Sequence, residues 1–204
     1  MEYLILRWQS GEAAYPLKAK QRDFSITEPH PQSLHLIDGG RWLLFTTLDG
    51  SVKYYDLNSR GKSLDAITLL PTQFDKDAYT FTLLAVDLDP DAEYLTFNLA
   101  SVTCLVYRNP GYLNTSQPTR WIEVNRVTSY WDENGDIKGL RAEPLAFFRE
   151  ENLYQCDSFT IRGRFFAYTF RAGIVIVDWT SADPTSLVYP RRVIWQSSVT
   201  VSTL

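Results

Sequence analysis

The sequence predicts an all-β chain built from about three four-stranded antiparallel units. Three observations carry this. Aromatic and β-branched residues are abundant, with 6 Trp, 12 Tyr and 11 Phe among 204 residues, and such side chains suit a pleated, half-buried surface. Apolar runs are short and bounded by Gly, Asp-Gly or Asn-Gly, which are hairpin signals because glycine accepts the positive φ of tight turns. A strand–turn–strand pattern also recurs along the chain.

The first unit centres on DGGRWLLFTTLDGSVKYYDL at 38–57. Residues 41–47 and 51–57 read as two strands joined at Asp49-Gly50. SLHLI at 33–37 and LDAITLL at 64–70 supply flanking strands. In the second unit, FTLLAVDL at 81–88 and AEYLTF at 92–97 come first. After a long segment at 99–119 come WIEVNRVTSYW at 121–131 and IKGLRAEPLAFF at 137–148, separated by Asn134-Gly135. Here Pro90-Asp91-Ala92 aligns with Asp38-Gly39-Gly40, and Tyr94-Leu95 with Trp42-Leu43. The third unit is FTIRGRFFAYTFRAGIVIVDW at 159–179, with a first strand within 153–161 and a last strand RRVIW at 191–195. Gly163-Arg164-Phe165-Phe166 matches Gly40-Arg41-Trp42-Leu43, and Gly173 matches Gly50. EYLILRW at 2–8 fits a helix end or a strand equally well.

Four-stranded units repeated with this turn chemistry predict β-propeller blades, here about 31–70, 81–148 and 153–195, after an entry segment at 1–30. Three blades do not close a ring, and open strand edges invite self-association. SSVTVSTL at 197–204 reads as a cut-off first strand of another blade. The expectation is therefore a piece of a longer protein or a truncated product.

The repeated DGGRWLLFTTLDGSVKYYDL, DPDAEYLTF and RGRFFAYTFRAGIVIVDW resemble the blades of WD-repeat propellers. The second copy lacks the Asp-Gly turn and the closing Trp-Asp, and the third inverts that pair as Asp178-Trp179. More narrowly, the stretch resembles the propeller region of fungal F-box proteins, although no F-box segment is read here. That resemblance implies a propeller holding a substrate protein for a ubiquitin-ligase adaptor, in the cytoplasm or nucleus.

Composition narrows the function. Net charge is −4, which argues against nucleic acid as partner, since no excess of cations meets the phosphates. Lys18, Lys20 and Arg22 read as a solvated strand face. The apolar runs are far shorter than the ~20 residues of a membrane helix, and MEYLILRWQSGEAAY is a poor signal peptide, so no membrane partner is expected. Cys104 and Cys156 lie far apart and outside any CxxC pattern, which disfavours a disulfide framework or zinc site and suits an intracellular setting. Asn114-Thr115-Ser116 is a formal glycosylation sequon.

Catalytic and cofactor motifs are weak. His30 and His35 are the two histidines, and neither accompanies a nucleophile elbow. Gly61-Lys62-Ser63 imitates the end of a phosphate loop, but Asp56 stands where its first glycine belongs. Asp87, Asp89, Asp91 and Glu93 alternate like calcium ligands, but Ala92 and Asn98 occupy the places that need Gly and Glu. They read as a blade turn, so no cofactor or metal is expected. Asp49, Asp87 and Glu123 are the acids considered for glycoside chemistry, which needs two carboxyls facing each other. The equivalent Trp42, Tyr94 and Phe165 read as packing between blades.

The chain thus reads as a non-enzymatic module that binds a protein partner on one rim, through Asp49, Phe74, Tyr107, Arg108, Tyr112 and Arg171. Tyrosine, arginine and other aromatics are the usual interface anchors. Alternative readings are a carbohydrate-binding or glycoside-active bladed protein, and a fragment without independent function.

Overall fold

The structure, a computed structural model, describes residues 25–26, 31–59, 63–74, 79–106, 119–151, 156, 158–170, 173–181 and 190–195. The entry segment, apart from 25–26, and the tail at 197–204 lie outside these residues, as do His30, Lys18, Lys20 and Arg22.

Among the described residues the chain is almost wholly strand. It forms three four-stranded antiparallel sheets, each a meander in chain order. The first blade pairs β2 (Leu34–Leu36), β3 (Trp42–Thr46), β4 (Val52–Asp56) and β6 (Ile67–Leu70). Beside it, β1 (Ser25–Ile26) and β5 (Ser63–Leu64) make a short parallel pair. The second blade is β7 (Tyr79–Leu88), β8 (Thr96–Val106), β9 (Thr119–Trp131) and β10 (Ile137–Glu151). The third is β11 (Ser158–Arg162), β12 (Phe165–Phe170), β13 (Gly173–Asp178) and β14 (Arg191–Trp195). These are blades of a partial propeller, and the described sheets do not close into a ring.

Period-two alternation places the second blade between the other two. On β8, Phe97 and Leu99 point to the first blade and join Trp42, Leu44, Val52 and Tyr54 in one core. Ala100 and Val102 point the other way and join Phe166, Tyr168, Val175 and Val177 in another. At the far side of the first blade, Phe45 stacks on Tyr55, with ring centroids 4.7 Å apart, over Leu64.

Polar stitches accompany the apolar cores. Thr46 Oγ1 donates to the Thr82 carbonyl at 3.1 Å, and Thr80 N–H to the Leu48 carbonyl at 2.9 Å, tying β7 to the first blade. Leu140 N–H donates to the Tyr54 hydroxyl at 3.2 Å across the same junction. Burial raises the Tyr54 pKa, so the phenol keeps its proton. Between the second and third blades, Asp87 accepts from Arg162 at 2.9 Å and from Gly163 N–H at 2.6 Å.

Two strand expectations need correction. The segment 99–119 is not one rim loop, since β8 runs on to Val106 and β9 begins at Thr119. Its small polar residues hide the strand: Thr103 bonds the Thr82 hydroxyl at 3.0 Å, so a buried hydroxyl is satisfied within the sheet. The second turn is also longer than expected. Ile37 N–H donates to the Trp42 carbonyl, and Asp89 N–H to that of Thr96. Thr96, not Tyr94, therefore stands at the Trp42 position. Tyr94 lies in the turn, 53% exposed, with its ring against Trp131 at 4.3 Å.

The aromatic-packing expectation holds for Trp42, which is 2% exposed, but not for Phe165, which is 45% exposed. By register the two are equivalent, each opposite the aspartate that ends the next strand. Trp42 faces the second blade, whereas Phe165 lies on the third blade's outer face, which no described sheet covers.

Candidate partner-binding rim

Strand register gathers one end of every sheet on the same rim: the β3–β4 turn at 47–51, the link leaving β6, the outer ends of β7 to β10 and the end of β12. The sequence-predicted rim residues Asp49 and Phe74 lie there. Tyr107, Arg108, Tyr112 and Arg171, with Asn114 of the sequon, lie outside the described residues.

Asp49 is a turn-maker. Its Oδ1 accepts from Thr47 Oγ1 at 2.5 Å and from Ser51 N–H at 3.0 Å. These bonds hold its carboxyl below its ordinary value, against the opposing pull of burial. Gly50 follows at φ 84°, as the Asp-Gly signal requires. The turn is tied to the link by Thr72 Oγ1, which donates to the Asp49 carbonyl at 2.5 Å and accepts from Phe74 N–H at 3.1 Å.

That bond sets Phe74 into the gap between blades. Its ring lies so close to Gly50 that a Cβ there would come within 3.1 Å of it. On the other side it meets Trp121 edge-on at 5.6 Å, and the Arg149 guanidinium stands 5.2 Å from the Trp121 ring. Phe74, Trp121 and Arg149 thus form a half-exposed ladder across the first junction. Sequence reasoning missed Trp121 and Arg149. The available signal was the alternation Trp121, Glu123, Asn125, which places all three on the blade-one face of β9.

Below the ladder, Gln73 Nε2 donates to Glu123 Oε1. Burial raises the Glu123 carboxyl above its ordinary value of 4.5, opposed by the Asn125 and Gln73 amides. The three acids considered for glycoside chemistry are not brought together. Asp87 and Glu123 point to opposite faces of the second blade, and Asp87 is engaged by Arg162 and Gly163. The alternating acids are neutralised separately as well: Asp89 pairs with Arg126, and its Oδ1 accepts Asp91 N–H at 3.3 Å. Among the described residues no three His, Cys, Asp or Glu side chains gather as a metal site.

His35 sits half-buried on β2 with its pKa lowered by burial, and no triad forms around it among the described residues. Cys156 is a buried thiol donating to the Ser158 carbonyl at 3.4 Å. Among the described residues no helix is long and apolar enough to cross a membrane.

No family model, curated protein or solved structure matches the chain. What the rim does is therefore argued from its own residues. Among the described residues it presents the rings of Phe74 and Trp121 and the Arg149 guanidinium, with Asp49 engaged in its own turn and Glu123 by Gln73.

Proposed function

We propose that the chain is a non-enzymatic protein-interaction module whose propeller rim takes a protein partner. The Phe74–Trp121–Arg149 ladder carries the reading. Aromatic and arginine side chains already packed on one another lose little freedom on binding, and such residues dominate interface energetics. Separation of Asp49, Asp87 and Glu123 supports a binding role over acid–base chemistry. In this proposal the partner is a protein marked for degradation, held as an F-box-type adaptor would hold it, and Tyr107, Arg108, Tyr112 and Arg171 extend the contact.

The test is affinity capture from source-cell extract with the wild-type chain and with a Tyr112→Ala/Arg171→Ala variant, each checked for folding by circular dichroism. Specific loss of one captured protein in a folded variant is the expected result. Unfolding of the variant, or identical capture by both, would sink the rim assignment.

A further inference from the structure

Each blade has a forward face, toward the next blade in the chain, and a rear face, toward the one before. Strand register makes positions on these faces equivalent from blade to blade. On the forward side, Val52 of β4 and Val124 of β9 hold the position of Ile174 on β13, just as Trp42 and Thr96 hold that of Phe165. On the rear side, Val86 and Leu88 of β7, and Phe159 and Ile161 of β11, hold the positions of Leu34 and Leu36 on β2.

Inside the stack a neighbouring blade covers these positions. Val52 and Val124 are buried, and Val86, Leu88, Phe159 and Ile161 pack into the two junction cores. At the two ends of the stack the same positions stand open. Phe165, Ile174 and Ile194, which pairs with Ile174, are 39–46% exposed on the third blade's forward face. Leu34 and Leu36 are more than half exposed on the first blade's rear face. Among the described residues no sheet lies over either patch, and open apolar faces of this kind mark contact sites. The two ends complement each other rather than themselves, since one needs a rear face and the other a forward face. On the first blade Leu64 already covers Phe45 and Tyr55, which leaves the innermost strand, β2, as the open part. That strand makes the contact elsewhere in the chain: β7 packs on β2 and β3, and β11 packs on β7 and β8.

We infer that the chain pairs head to tail with a second copy of itself and closes a six-bladed ring. The β2 strand of one copy lies on β11 and β12 of the other, with Leu34 and Leu36 against Phe165 and Ile174. A head-to-tail contact either closes into a ring or grows into a filament. Propellers close with about 4–8 blades. Blades come here in threes, and two copies is the one number of chains that falls in that range. Both junctions of the ring are then identical and related by a two-fold axis. When the copies part on dilution, Phe165 returns to the surface. The inference rests on the blade faces and not on the partner rim, so either can fail without the other.

The experiment is sedimentation velocity on the full chain at about 100 μM, well above a micromolar dissociation constant. The wild type should run as two chain masses. Phe165→Asp spoils the forward end and Leu36→Asp the rear end, and each variant alone should run as one chain mass. Mixing the two variants leaves one good junction between unlike copies, so the mixture should pair again, more weakly than the wild type because the ring stays open. Circular dichroism checks that each variant folds. Should either fail, Ile174→Lys and Leu34→Lys spoil the same two ends at other exposed positions. A monomeric wild type would overturn the inference and mean that the ends are covered by the chain's own terminal segments or by another protein. A dimer that survives Leu36→Asp would overturn it in favour of two forward faces packed on each other. Assemblies longer than two chains, or a mixture no better paired than its parts, would overturn it as well.

Discussion

Trp42 and Phe165 hold the same register position in two blades, each opposite the aspartate that ends the next strand. One is buried between blades and the other lies on an uncovered face. Chemistry at the position is similar, so the difference is one of neighbours. Trp42→Ala should destabilise the chain by about 3–5 kcal/mol, as core aromatic truncations do. Phe165→Ala should cost about 1 kcal/mol or less, in line with surface sites. Urea unfolding of both variants would check the contrast, and equal losses would mean that Phe165 is covered in solution.

The aspartates opposite these residues give a pH prediction. Asp178 accepts from Arg164 as Asp56 does from Arg41, and its carboxyl is held well below the ordinary range, first by Arg164 and then by the Thr180 hydroxyl. Because its pKa is depressed on folding, the stabilisation is present above the unfolded value of about 3.9 and is lost as pH falls below it. Asp178→Asn should lower the urea midpoint at neutral pH and flatten its fall on acidification. A variant whose acid limb matches the wild type would remove Asp178 from the account.

Glu123 titrates in the opposite sense. Burial raises its pKa, so the folded state binds more protons than the unfolded chain above pH ~4.5, and stability declines as pH rises through that window. Glu123→Gln keeps an acceptor for Gln73 and removes the charge. It should raise the urea midpoint at neutral pH while leaving it unchanged near pH 4. Loss of stability at neutral pH would mean that the carboxylate is better solvated than its burial implies.

Asp87 joins the second and third blades through one carboxylate and two donors. Arg162 is largely exposed, so its ion pair is worth little. The Gly163 N–H bond fixes the β11–β12 turn. Asp87→Ala should cost about 1–2 kcal/mol, and limited proteolysis should show earlier cutting at that turn. Unchanged cleavage would place the junction's strength wholly in its apolar core.

Much of this architecture was legible because turn chemistry is local. Asp49-Gly50 and Asn134-Gly135 mark hairpins that the structure contains, with Gly50 and Gly135 at positive φ. RRVIW at 191–195 is a strand with the expected bounds. What escaped was register. The turn before β8 has six residues, 90–95, where the first blade has four, 38–41, and only the backbone pairing reveals it. On β10 a bulge between Pro144 and Ala146 reverses which residues face the first blade. That reversal brings Arg149 opposite Trp121 and Phe147 opposite Glu123, so alternation along β9 could give Trp121 but alternation along β10 could not give Arg149. The face of Phe165 was misjudged because a sequence repeat does not say which copy has a neighbour.

The bond from Leu140 N–H to the Tyr54 hydroxyl places an amide of one blade under the control of another. Gly139 leaves room for it, since a Cβ there would stand 2.6 Å from the phenol oxygen. The Leu140 proton can be replaced by deuterium only when Tyr54 withdraws, so its exchange rate keeps time for the first blade rather than for its own strand. A slow clock at Leu140 would mean that the two sheets open as a single cooperative unit.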